Sequence, residues 1–489
     1  MSAIKASSQA PASPRRVIII GGGISGLAAT HALERARQSG ARIEFQLIEA
    51  GARLGGVIRT EPADGFILEA GPDSFLTAKP ESAELARELG LGDALLGSND
   101  RDRRTYVLHR GRLAALPEGM MMLVPMRFAP MLRTPLLPWS SRIKAAAELF
   151  MAPPDRSREK FPDESVESFV TRHFGRALLE NIAEPLLAGV YGGDSRALSA
   201  RSVLTRFWEM ESRHGSLIRA VASSRRKRAR TAPATGAPPS LFSTFGGGME
   251  QLIQAIEKTL SPASVRLGER VNGLAPAPTD GAPEWRVESD RAAGEKADAV
   301  ILALPAHESA RLLKTLDPEL AESLGAIPYS SALIVSLAFD DDVRRSLPPG
   351  FGFLVPQKEN RKLLACTFVH RKFSGRAPEG KALLRCFLGG SRHPELLQTS
   401  DAEIVSLVRG ELRAILGISA EPLLTRVSRW PSAMAQYTVG HQARVGAIEA
   451  ALERHPGLFL AGNAFSGIGI SDCIRAGRLA ASRALAMFS

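Results

Sequence analysis

The chain has 489 residues, 44% of them hydrophobic and 23% charged. This composition is typical of a globular protein that is too long for one ordinary core, so we expect two or three domains. The formal net charge of +11 allows nucleic acid or an anionic membrane as a partner.

Three further features narrow the class of protein. The three cysteines lack C-x-x-C spacing, which argues against a disulfide framework and a zinc site and fits a reducing compartment. The first residues are polar and show no signal segment, and no run approaches the roughly 20 apolar residues that span a bilayer. The sequence therefore predicts a cytoplasmic protein.

The first predicted elements are a strand, a helix and a second strand. Residues 16–20 form a β-branched run that is typical of a buried parallel strand. Residues 25–38 favour a helix that ends before Gly40, and residues 43–48 favour the second strand. This order is the start of a dinucleotide-binding unit.

A glycine pattern connects the first strand to the helix. Gly21, Gly23 and Gly26 fill the G-x-G-x-x-G motif, in which the second glycine lets backbone approach a pyrophosphate at the helix N-terminus. Glu49, after the second strand, occupies the place of an acid that accepts ribose hydroxyls. The predicted cofactor contacts here are Gly21, Gly23, Ile24, Ser25, Gly26 and Glu49.

Residues 49–56 have the sequence Glu-Ala-Gly-Ala-Arg-Leu-Gly-Gly. This segment resembles the E-A-x-x-R-x-G-G signature of FAD enzymes of the amine oxidase and protoporphyrinogen oxidase superfamily. Arg53 can neutralise phosphate charge, and the two glycines let backbone run close to a ligand. A surface turn with an unrelated arginine is the alternative. The predicted contacts are Glu49, Ala50, Arg53, Gly55 and Gly56.

Residues 91–215 are predicted to be mostly helical and contain a methionine-rich segment at 116–139. Five prolines exclude a long helix in that segment, and methionines are typical of adaptable apolar surfaces. A lipid-facing patch, the floor of a pocket for a large apolar substrate and a core beneath a loop all remain open. The predicted helices of the region span residues 143–151, 165–174, 176–185 and 199–212.

Residues 225–230, Arg-Arg-Lys-Arg-Ala-Arg, precede a Thr-, Ala-, Pro- and Gly-containing stretch to Pro239. This composition predicts a flexible exposed loop. The run has no interleaved aromatic residues and no nucleic-acid fold signature around it, so we expect no nucleic-acid partner. A weak contact with an anionic membrane is the alternative to a solvated loop.

The second half of the chain alternates helices and strands. A Phe-Gly-Gly-Gly-Met loop opens a helix at residues 250–260, and another helix is predicted at 401–416. Strands are predicted at 265–271, 284–289 and 299–304, followed by three strands of an antiparallel sheet at 333–339, 363–368 and 382–388.

The tail has a strand at residues 459–461, a glycine-rich turn and a helix to Met487 that Ser471 or Asp472 could cap. The N-terminus of this helix could face a flavin pyrophosphate or the ring carbonyls. An ordinary strand-to-helix connection is the alternative. The predicted contacts are Gly462, Asn463, Gly469 and Ile470.

Together these elements predict an α/β fold. It has a discontinuous Rossmann-type FAD-binding domain, a substrate domain built on a mixed or antiparallel sheet, and a helical insertion. The expected boundaries are 1–90, 216–310 and 441–489 for the FAD-binding domain, 91–215 for the helical, membrane-touching part, and 311–440 for the substrate sheet.

Four further segments, at residues 65–76, 184–194, 245–250 and 373–390, extend the resemblance over nearly the whole chain. The chain resembles a bacterial porphyrinogen oxidase of the coproporphyrinogen/protoporphyrinogen oxidase family. The piece Ala-Gly-Val-Tyr-Gly-Gly-Asp at residues 188–194 is more specific than the flavin motifs, which a whole superfamily shares.

The resemblance implies a reaction. Members remove six electrons from a porphyrinogen in three cycles of a non-covalent FAD, and molecular oxygen becomes hydrogen peroxide. Because the flavin carries the chemistry, we expect no catalytic side chain. Scattered histidines and the lack of a nucleophile or metal cluster agree with this expectation.

The resemblance also implies contacts. Val271 would lie over the adenine, and the segment of Gly71, Pro72, Asp73 and Ser74 would lie beside the flavin. Lys79 would bind a substrate carboxylate, although some relatives have arginine nearby. Leu354 and Phe368 are predicted pocket walls or core residues, and Trp430, placed between the sheet and the tail, is a flavin neighbour or a core residue.

Several alternatives remain open at this point. A flavin amine oxidase would need a tyrosine pair or a cysteine for covalent flavin, and a carotenoid desaturase would lack the Val-Tyr-Gly-Gly-Asp segment. A non-catalytic flavoprotein is a third alternative. The choice between coproporphyrinogen III and protoporphyrinogen IX, a homodimer, and peripheral contact with a membrane also stay open, with a lean towards coproporphyrinogen III.

Overall fold

A computed structural model describes residues 13–121, 124–125, 128–155, 162–231, 240–277 and 284–488. Contacts divide the chain into two units. The first comprises Met1–Gly56, Ile253–Leu324 and Ile448–Ser489, and the second comprises Val57–Leu252 and Gly325–Ala447. Residues 57–90 therefore group with the second unit, whereas the sequence placed them in the dinucleotide-binding part.

The strands of the described residues are β1 (Arg15–Ile20), β2 (Ile43–Glu49), β3 (Thr60–Ala63), β4 (Phe66–Glu69), β5 (Phe75–Leu76), β6 (Leu95–Gly97), β7 (Thr105–His109), β8 (Arg112–Ala115), β9 (Met120–Met121), β10 (Val124–Pro125), β11 (Phe242–Phe245), β12 (Val265–Leu267), β13 (Val271–Pro276), β14 (Trp285–Ser289), β15 (Glu295–Ala297), β16 (Ala299–Leu302), β17 (Tyr329–Phe339), β18 (Gly352–Leu354), β19 (Ala365–Phe368), β20 (Ala382–Gly389), β21 (Leu424–Ala435) and β22 (Leu458–Leu460).

The α-helices of the same residues are α1 (Ile24–Gln38), α2 (Glu81–Glu88), α3 (Phe128–Arg133), α4 (Trp139–Ala147), α5 (Val166–Phe174), α6 (Arg176–Leu178), α7 (Glu184–Tyr191), α8 (Ala200–Val203), α9 (Thr205–His214), α10 (Leu217–Thr231), α11 (Glu250–Glu257), α12 (Ala306–Leu313), α13 (Pro318–Gly325), α14 (Asp341–Ser346), α15 (Val369–Lys372), α16 (Asp401–Leu416), α17 (His441–Leu452) and α18 (Ile470–Ala486). A π-helical turn, Leu179–Ala183, joins α6 to α7.

The first unit contains a parallel sheet with the strand order β12-β2-β1-β16-β22. In β1, Val17 to Ile20 are buried, and β2 and β16 pair in parallel on either side of the strand. Continuous β-branched runs are typical of such strands. The order, counted along the chain as 3-2-1-4-5, is that of a doubly wound nucleotide-binding sheet, which confirms the predicted Rossmann-type domain.

Two predicted elements of the first unit differ in detail. The strand expected at residues 265–271 is two strands, β12 and β13, because Gly268 adopts a positive φ of 63° between them. The N-cap position of the last helix is Gly469, which has no side chain to cap it, and not Ser471 or Asp472. These two residues lie inside its first turn, since the glycine-rich turn lets the helix begin earlier.

The second unit is built on a mixed sheet with the order β21-β17-β20-β19-β18-β7-β8. The central strand β17 pairs antiparallel with β20 and β21, which confirms the predicted antiparallel sheet. The sequence missed β21 entirely. It also predicted residues 91–215 as helical, whereas β7 and β8 join this sheet, because strands of four or five residues carry little periodic signal.

The helices α4 to α10 surround a separate apolar core of the second unit. Met131, Leu136 and Leu137 of the methionine-rich segment are buried in it, as the core interpretation predicts, whereas Trp139 at the end of the segment is exposed. Met122, Leu123 and Met126 lie outside what the structure describes. No helix in the described part of the chain is both long and apolar enough to cross a bilayer.

The basic run is helical, contrary to the predicted loop. Residues 225–230 belong to α10, and the stretch from Ala232 to Pro239 lies outside the described residues. The physical reason is helix propensity, since arginine, lysine and alanine are among the best helix formers and no glycine or proline interrupts the run.

A buried charged triad joins the helices of this core. The two ring nitrogens of His173 each lie 3.0 Å from a carboxylate oxygen, one of Glu148 and one of Glu211, and all three side chains are at most 1% exposed. Glu148 also accepts the amide hydrogens of Leu217 and Ile218, at the start of α10. His173 donates to both carboxylates only when the imidazole carries two protons.

Protonation of His173 is favoured by its partners. Burial alone would lower the pKa of His173, but the hydrogen bonds to Glu148 and Glu211 outweigh burial and raise that pKa above its usual value. Burial would raise the pKa of Glu211, but His173 and Arg172 lower it to about 2. Arg172 in turn also pairs with Glu164, at the edge of the cluster.

We expect His173→Gln to lower the free energy of unfolding by about 3 kcal/mol near pH 6, because it leaves buried carboxylates without their cation. A raised folded pKa contributes stability below the ordinary imidazole value of about 6.5, and that stability is lost as the pH rises through the folded pKa. Urea unfolding across a pH series measures both effects. His214→Gln, at an exposed position, is the matched control. Parallel pH curves for wild type and His173→Gln would contradict the assignment.

Candidate functional site

The turn after β1 is packed against backbone on two sides. A Cβ on Gly21 would lie 2.5 Å from the carbonyl oxygen of Ala303, and one on Gly26 would overlap the carbonyl oxygen of Gly21. Gly21 also has a positive φ of 107°. These two glycines are therefore required by the fold of the turn itself.

Gly23 differs from its neighbours. A Cβ placed on Gly23 would meet nothing within 4 Å, and its φ of −70° suits any residue. Gly23 is also the N-cap of α1, which has no side-chain cap and no acidic residue in its first turn. An uncapped helix N-terminus beside open space is what a pyrophosphate needs, so these residues fit FAD at the predicted position.

The second glycine loop faces the first. Gly23 and Gly55 form a parallel bridge, and the amide of Gly55 donates to the carbonyl of Gly22 at 2.8 Å. Arg53 donates to the carbonyls of Leu54 and Gly56, so its guanidinium stiffens its own loop. Its predicted contact with phosphate stays a prediction.

Glu49 connects the two loops. Its carboxylate oxygens accept the amide hydrogens of Gly22 and Gly51, each at 2.6 Å. A carboxylate has about four lone-pair sites, so two remain for the predicted ribose hydroxyls. The exposed Ala50 follows directly.

The predicted adenine neighbour, Val271, belongs to the same unit as Glu49. The amide of Glu269 donates to the carbonyl of Glu49, and that of Gly268 donates to the carbonyl of Gly51. Val271, two residues further on, is buried at the start of β13. The chain therefore brings Val271 to the loop that follows the predicted ribose acid.

The tail enters the same sheet. The amide of Ala461 donates to the carbonyl of Leu302, and Gly462 follows beside Leu304. The N-terminus of α18 starts at Gly469, again without a side-chain cap, and Ile470 is buried. Asn463 lies in the turn between them. Their contacts with a flavin stay predictions.

In the second unit, side chains of the sheet and of α15 hold the segment of residues 70–74. Trp430 donates its indole N–H to the carbonyl of Ala70 at 2.6 Å, and Arg385 donates to the carbonyl of Gly71. Lys372 donates to both carboxylate oxygens of Asp73, at 3.0 and 2.9 Å, and to the hydroxyl of Ser74 at 3.2 Å. The half-buried Pro72 lies within the segment that these hydrogen bonds hold.

The charges behind this segment are deeply buried. Burial alone would raise the pKa of Asp73, but Lys372 and Arg385 outweigh it and hold that pKa well below its usual value. Burial raises the pKa of Glu69, which lies 3.3 Å from Arg376. Five ionisable groups thus share one buried region.

The predicted substrate residues have different surroundings. Lys79 is half-buried and precedes α2, and Leu354, at the end of β18, lies near Gly189 of α7, where an added Cβ would be 3.5 Å away. Phe368 has no exposed surface and packs near Phe353 in the core. It is therefore a core residue and not a pocket wall.

Trp430 is also placed differently from the prediction. It lies inside β21 opposite Ala332, within the sheet, and not between the sheet and the tail. Sequence reasoning missed Lys372, Arg376 and Arg385. A signal for Arg385 existed, because a single charge in the apolar strand Ala-Leu-Leu-Arg-Cys-Phe-Leu is costly unless it is paired.

Comparisons with known proteins agree with this geometry. A family model described as flavin containing amine oxidoreductase matches residues 24–485. The coproporphyrinogen III oxidase of Bacillus subtilis (strain 168) is 34% identical over 473 residues, which are 96% of this chain and 98% of that protein. The chloroplastic protoporphyrinogen oxidase 1 of Spinacia oleracea is 31% identical, over 94% of this chain and 82% of that protein.

Solved structures show the same fold. A candidate protoporphyrinogen oxidase from Exiguobacterium sp. 255-15 superposes with a TM-score of 0.82 at 30% identity, covering 97% of this chain and 99% of that one. Cyclohexylamine oxidase from Brevibacterium oxydans IH-35A has a TM-score of 0.68 at 18% identity, over 97% and 99%. The second similarity shows the fold alone.

We expect Gly23→Val to abolish FAD binding while the protein stays folded, because the added side chain enters open space that the pyrophosphate needs. The flavin absorbance of the purified protein and its thermal unfolding measure the two effects separately. Gly410→Val in α16, where an added Cβ also meets nothing within 4 Å, is the matched control. Full flavin content in Gly23→Val would overturn the assignment of this turn.

Proposed function

This chain belongs to the flavin-containing amine oxidoreductase family, and we propose that within it the protein is an FAD-dependent porphyrinogen oxidase of heme biosynthesis. The observation that carries the proposal is the match over nearly its full length to coproporphyrinogen III oxidases. Protoporphyrinogen oxidases match over a similar length at 31% and 29% identity, below the 34% and 33% of two of the coproporphyrinogen III oxidases. We therefore favour coproporphyrinogen III as the substrate, molecular oxygen as the acceptor and hydrogen peroxide as the second product.

The residues of the first unit would bind the nucleotide half of the cofactor. Bound FAD supplies the electron transfer, and the protein positions it. We assign the pyrophosphate to Gly23 and the N-terminus of α1, the ribose to Glu49 and the adenine to Val271. The hydrogen bonds that the Glu49 carboxylate accepts from the backbone amides of Gly22 and Gly51 support this assignment, because they hold the two loops in place without a side chain in the turn.

The substrate is a large ring with apolar faces and carboxylates at its rim. Such a ligand needs aliphatic walls and a cation for each carboxylate it buries. We assign one carboxylate to Lys79 and one wall to Leu354. The absence of a side chain at Gly189 supports the second assignment, because it leaves the δ-carbon of Leu354 without a bulky neighbour there.

One assay tests the proposed function. Purified protein is incubated with coproporphyrinogen III or protoporphyrinogen IX, and porphyrin fluorescence and peroxide are followed together. We expect rapid coproporphyrin formation with peroxide in fixed proportion. Flavin-loaded protein that oxidises neither porphyrinogen would overturn the proposal, and oxidation of an amine or a carotenoid instead would favour the alternatives.

We also propose a weak peripheral contact with anionic membranes. The motivation is an exposed ridge on α4 and the turn after it, in which Trp139 and Ile143 are 68% exposed and Phe150 is 85% exposed. Trp139 and Ile143, four residues apart, lie on one side of α4, and Phe150 ends the turn that follows. Arg142 lies over the Trp139 ring, and α10, which carries the basic run, starts at this turn.

We expect Lys79→Glu to raise the KM for coproporphyrinogen III by about tenfold, or about 1.4 kcal/mol, because it reverses the charge that meets a carboxylate. Flavin content should stay unchanged. Lys79→Arg keeps the cation and should behave like wild type. Steady-state kinetics that are unaltered by Lys79→Glu would show that the carboxylate contact lies elsewhere.

Vesicle co-sedimentation across a salt series tests the membrane contact. Each basic residue near an anionic surface contributes roughly 1 kcal/mol, which salt screens. Replacing the five cations of residues 225–230 by Gln should therefore remove binding at low salt. Replacing Trp139, Ile143 and Phe150 by Ser should remove any binding that persists at high salt. Equal binding by wild type and both variants would contradict the contact.

A further inference from the structure

One buried carboxylate connects the two parts of the proposed membrane surface. Glu148 begins the short turn that follows α4, and the same turn carries the exposed Phe150 of the ridge. The Glu148 carboxylate accepts the hydroxyl hydrogen of Ser216 at 2.7 Å and the amide hydrogens of the first two residues of α10. The apolar ridge and the helix that carries the basic run are therefore attached to each other at Glu148.

Two further contacts join this turn to α10. Arg219 donates to the carbonyl of Met151 at 2.6 Å. A Cβ added to Gly215 would lie 2.3 Å from the carbonyl carbon of Ala152, so the backbone before α10 touches the backbone after the turn. The direction of α10 is set at these first residues. The basic run follows roughly 12 to 20 Å further along the helix, at about 1.5 Å per residue.

Glu148 is in turn paired with the ring of His173. The charged groups around that ring are Glu148, Glu211 of α9 and the neighbouring Arg172, which pairs with Glu211 and with Glu164. When the ring loses its proton, Arg172 is the one cation left beside three carboxylates in this group. Within the described residues, His173 is the only cation that pairs with Glu148, so Glu148 is then a buried carboxylate without a counter-charge.

We propose that the buried pair of Glu148 and His173 holds α10 and the apolar ridge together while the ring is protonated, and that the junction opens as the pH rises, which weakens the contact with anionic membranes. A buried carboxylate without a cation is strongly destabilising, and the cost is relieved when Glu148 turns towards water. The start of α10 then loses its acceptor. Two contacts held in fixed geometry bind one surface more tightly than two independent contacts.

The direction of the pH dependence follows from the surroundings of the ring. Burial alone would lower the pKa of His173, but its carboxylate partners raise that pKa above the usual value of 6.5. The junction is therefore closed below about pH 6.5 and opens as the pH rises through the folded pKa. This inference rests on the proposed membrane contact, and it names how that contact is regulated.

Vesicle binding across a pH series tests the inference. Phosphatidylglycerol vesicles at low salt keep their phosphodiester charge from about pH 6 to about pH 9, and the arginines and lysine of the basic run keep theirs. We expect the partition coefficient of the wild type to fall about tenfold over this range, which is roughly the effect of losing one or two basic contacts. A partition coefficient that is constant over the range overturns the inference.

Three variants locate the effect. His173→Gln has no ring proton to lose, so its binding should be weak and independent of pH. Glu211→Gln keeps the pair but removes a carboxylate that raises the pKa of the ring, so its transition should move to lower pH. If His173→Gln does not fold, an unshifted transition in Glu211→Gln overturns the inference. His214→Gln, at an exposed position of α9, is the matched control and should keep the wild-type pH dependence.

Hydrogen exchange without vesicles separates the junction from the membrane contact. The amides of Leu217 and Ile218 lose their acceptor when the junction opens. After correction for the intrinsic pH dependence of exchange, their protection should fall as the pH rises in the wild type and stay constant in His173→Gln. Constant protection in the wild type overturns the inference even if vesicle binding changes. Binding that is absent at every pH instead refutes the proposed membrane contact, and the exchange data then show separately whether the junction opens.

Discussion

The first unit depends on backbone contacts that leave no room for a side chain. The carbonyl of Ala303 meets Gly21, the carbonyl of Gly21 meets Gly26, and the carbonyl of Ser25 meets Gly477 across α1 and α18. No change of rotamer can relieve a clash between Cβ and backbone, so these positions tolerate only glycine. The close packing brings two uncapped helix N-termini, those of α1 and α18, to the sheet. Gly23 is the exception, because no atom lies within 4 Å of where its Cβ would be, and a phosphate group can occupy that space.

The second unit depends on a different feature, which is a group of buried charged side chains. Its sheet carries Arg385 in an apolar strand, and α15 ends at the buried Lys372. Ion pairs with Asp73, together with bonds to backbone carbonyls, offset the cost of taking these cations out of water. The same groups hold residues 70–74 in one conformation. The same five side chains therefore both hold this segment in place and determine its local electrostatics.

Local patterns predicted local elements well. The run Val-Ile-Ile-Ile and the glycines after it predicted β1 and the turn, and the helix and strand that follow were confirmed to within a residue or two. Errors occurred where a single residue altered a pattern. The positive φ of Gly268 divides a predicted strand into two. The last helix begins after Gly469, before the residues that were predicted to cap it. The run at residues 225–230 was assigned by its charge, whereas its helix propensity decided its structure.

The sequence by itself determined the class of protein. Glycine spacing, a carboxylate after the second strand and a specific segment at residues 188–194 carry that information in short stretches, because each depends on backbone geometry within one turn. Only the tertiary structure decided the partners of buried charges. Lys372 and Asp73 are 299 residues apart, and the partners of His173 come from separate helices and turns. Such pairs form because folding removes both groups from water at the same place, and nothing in the local sequence of either residue specifies the other.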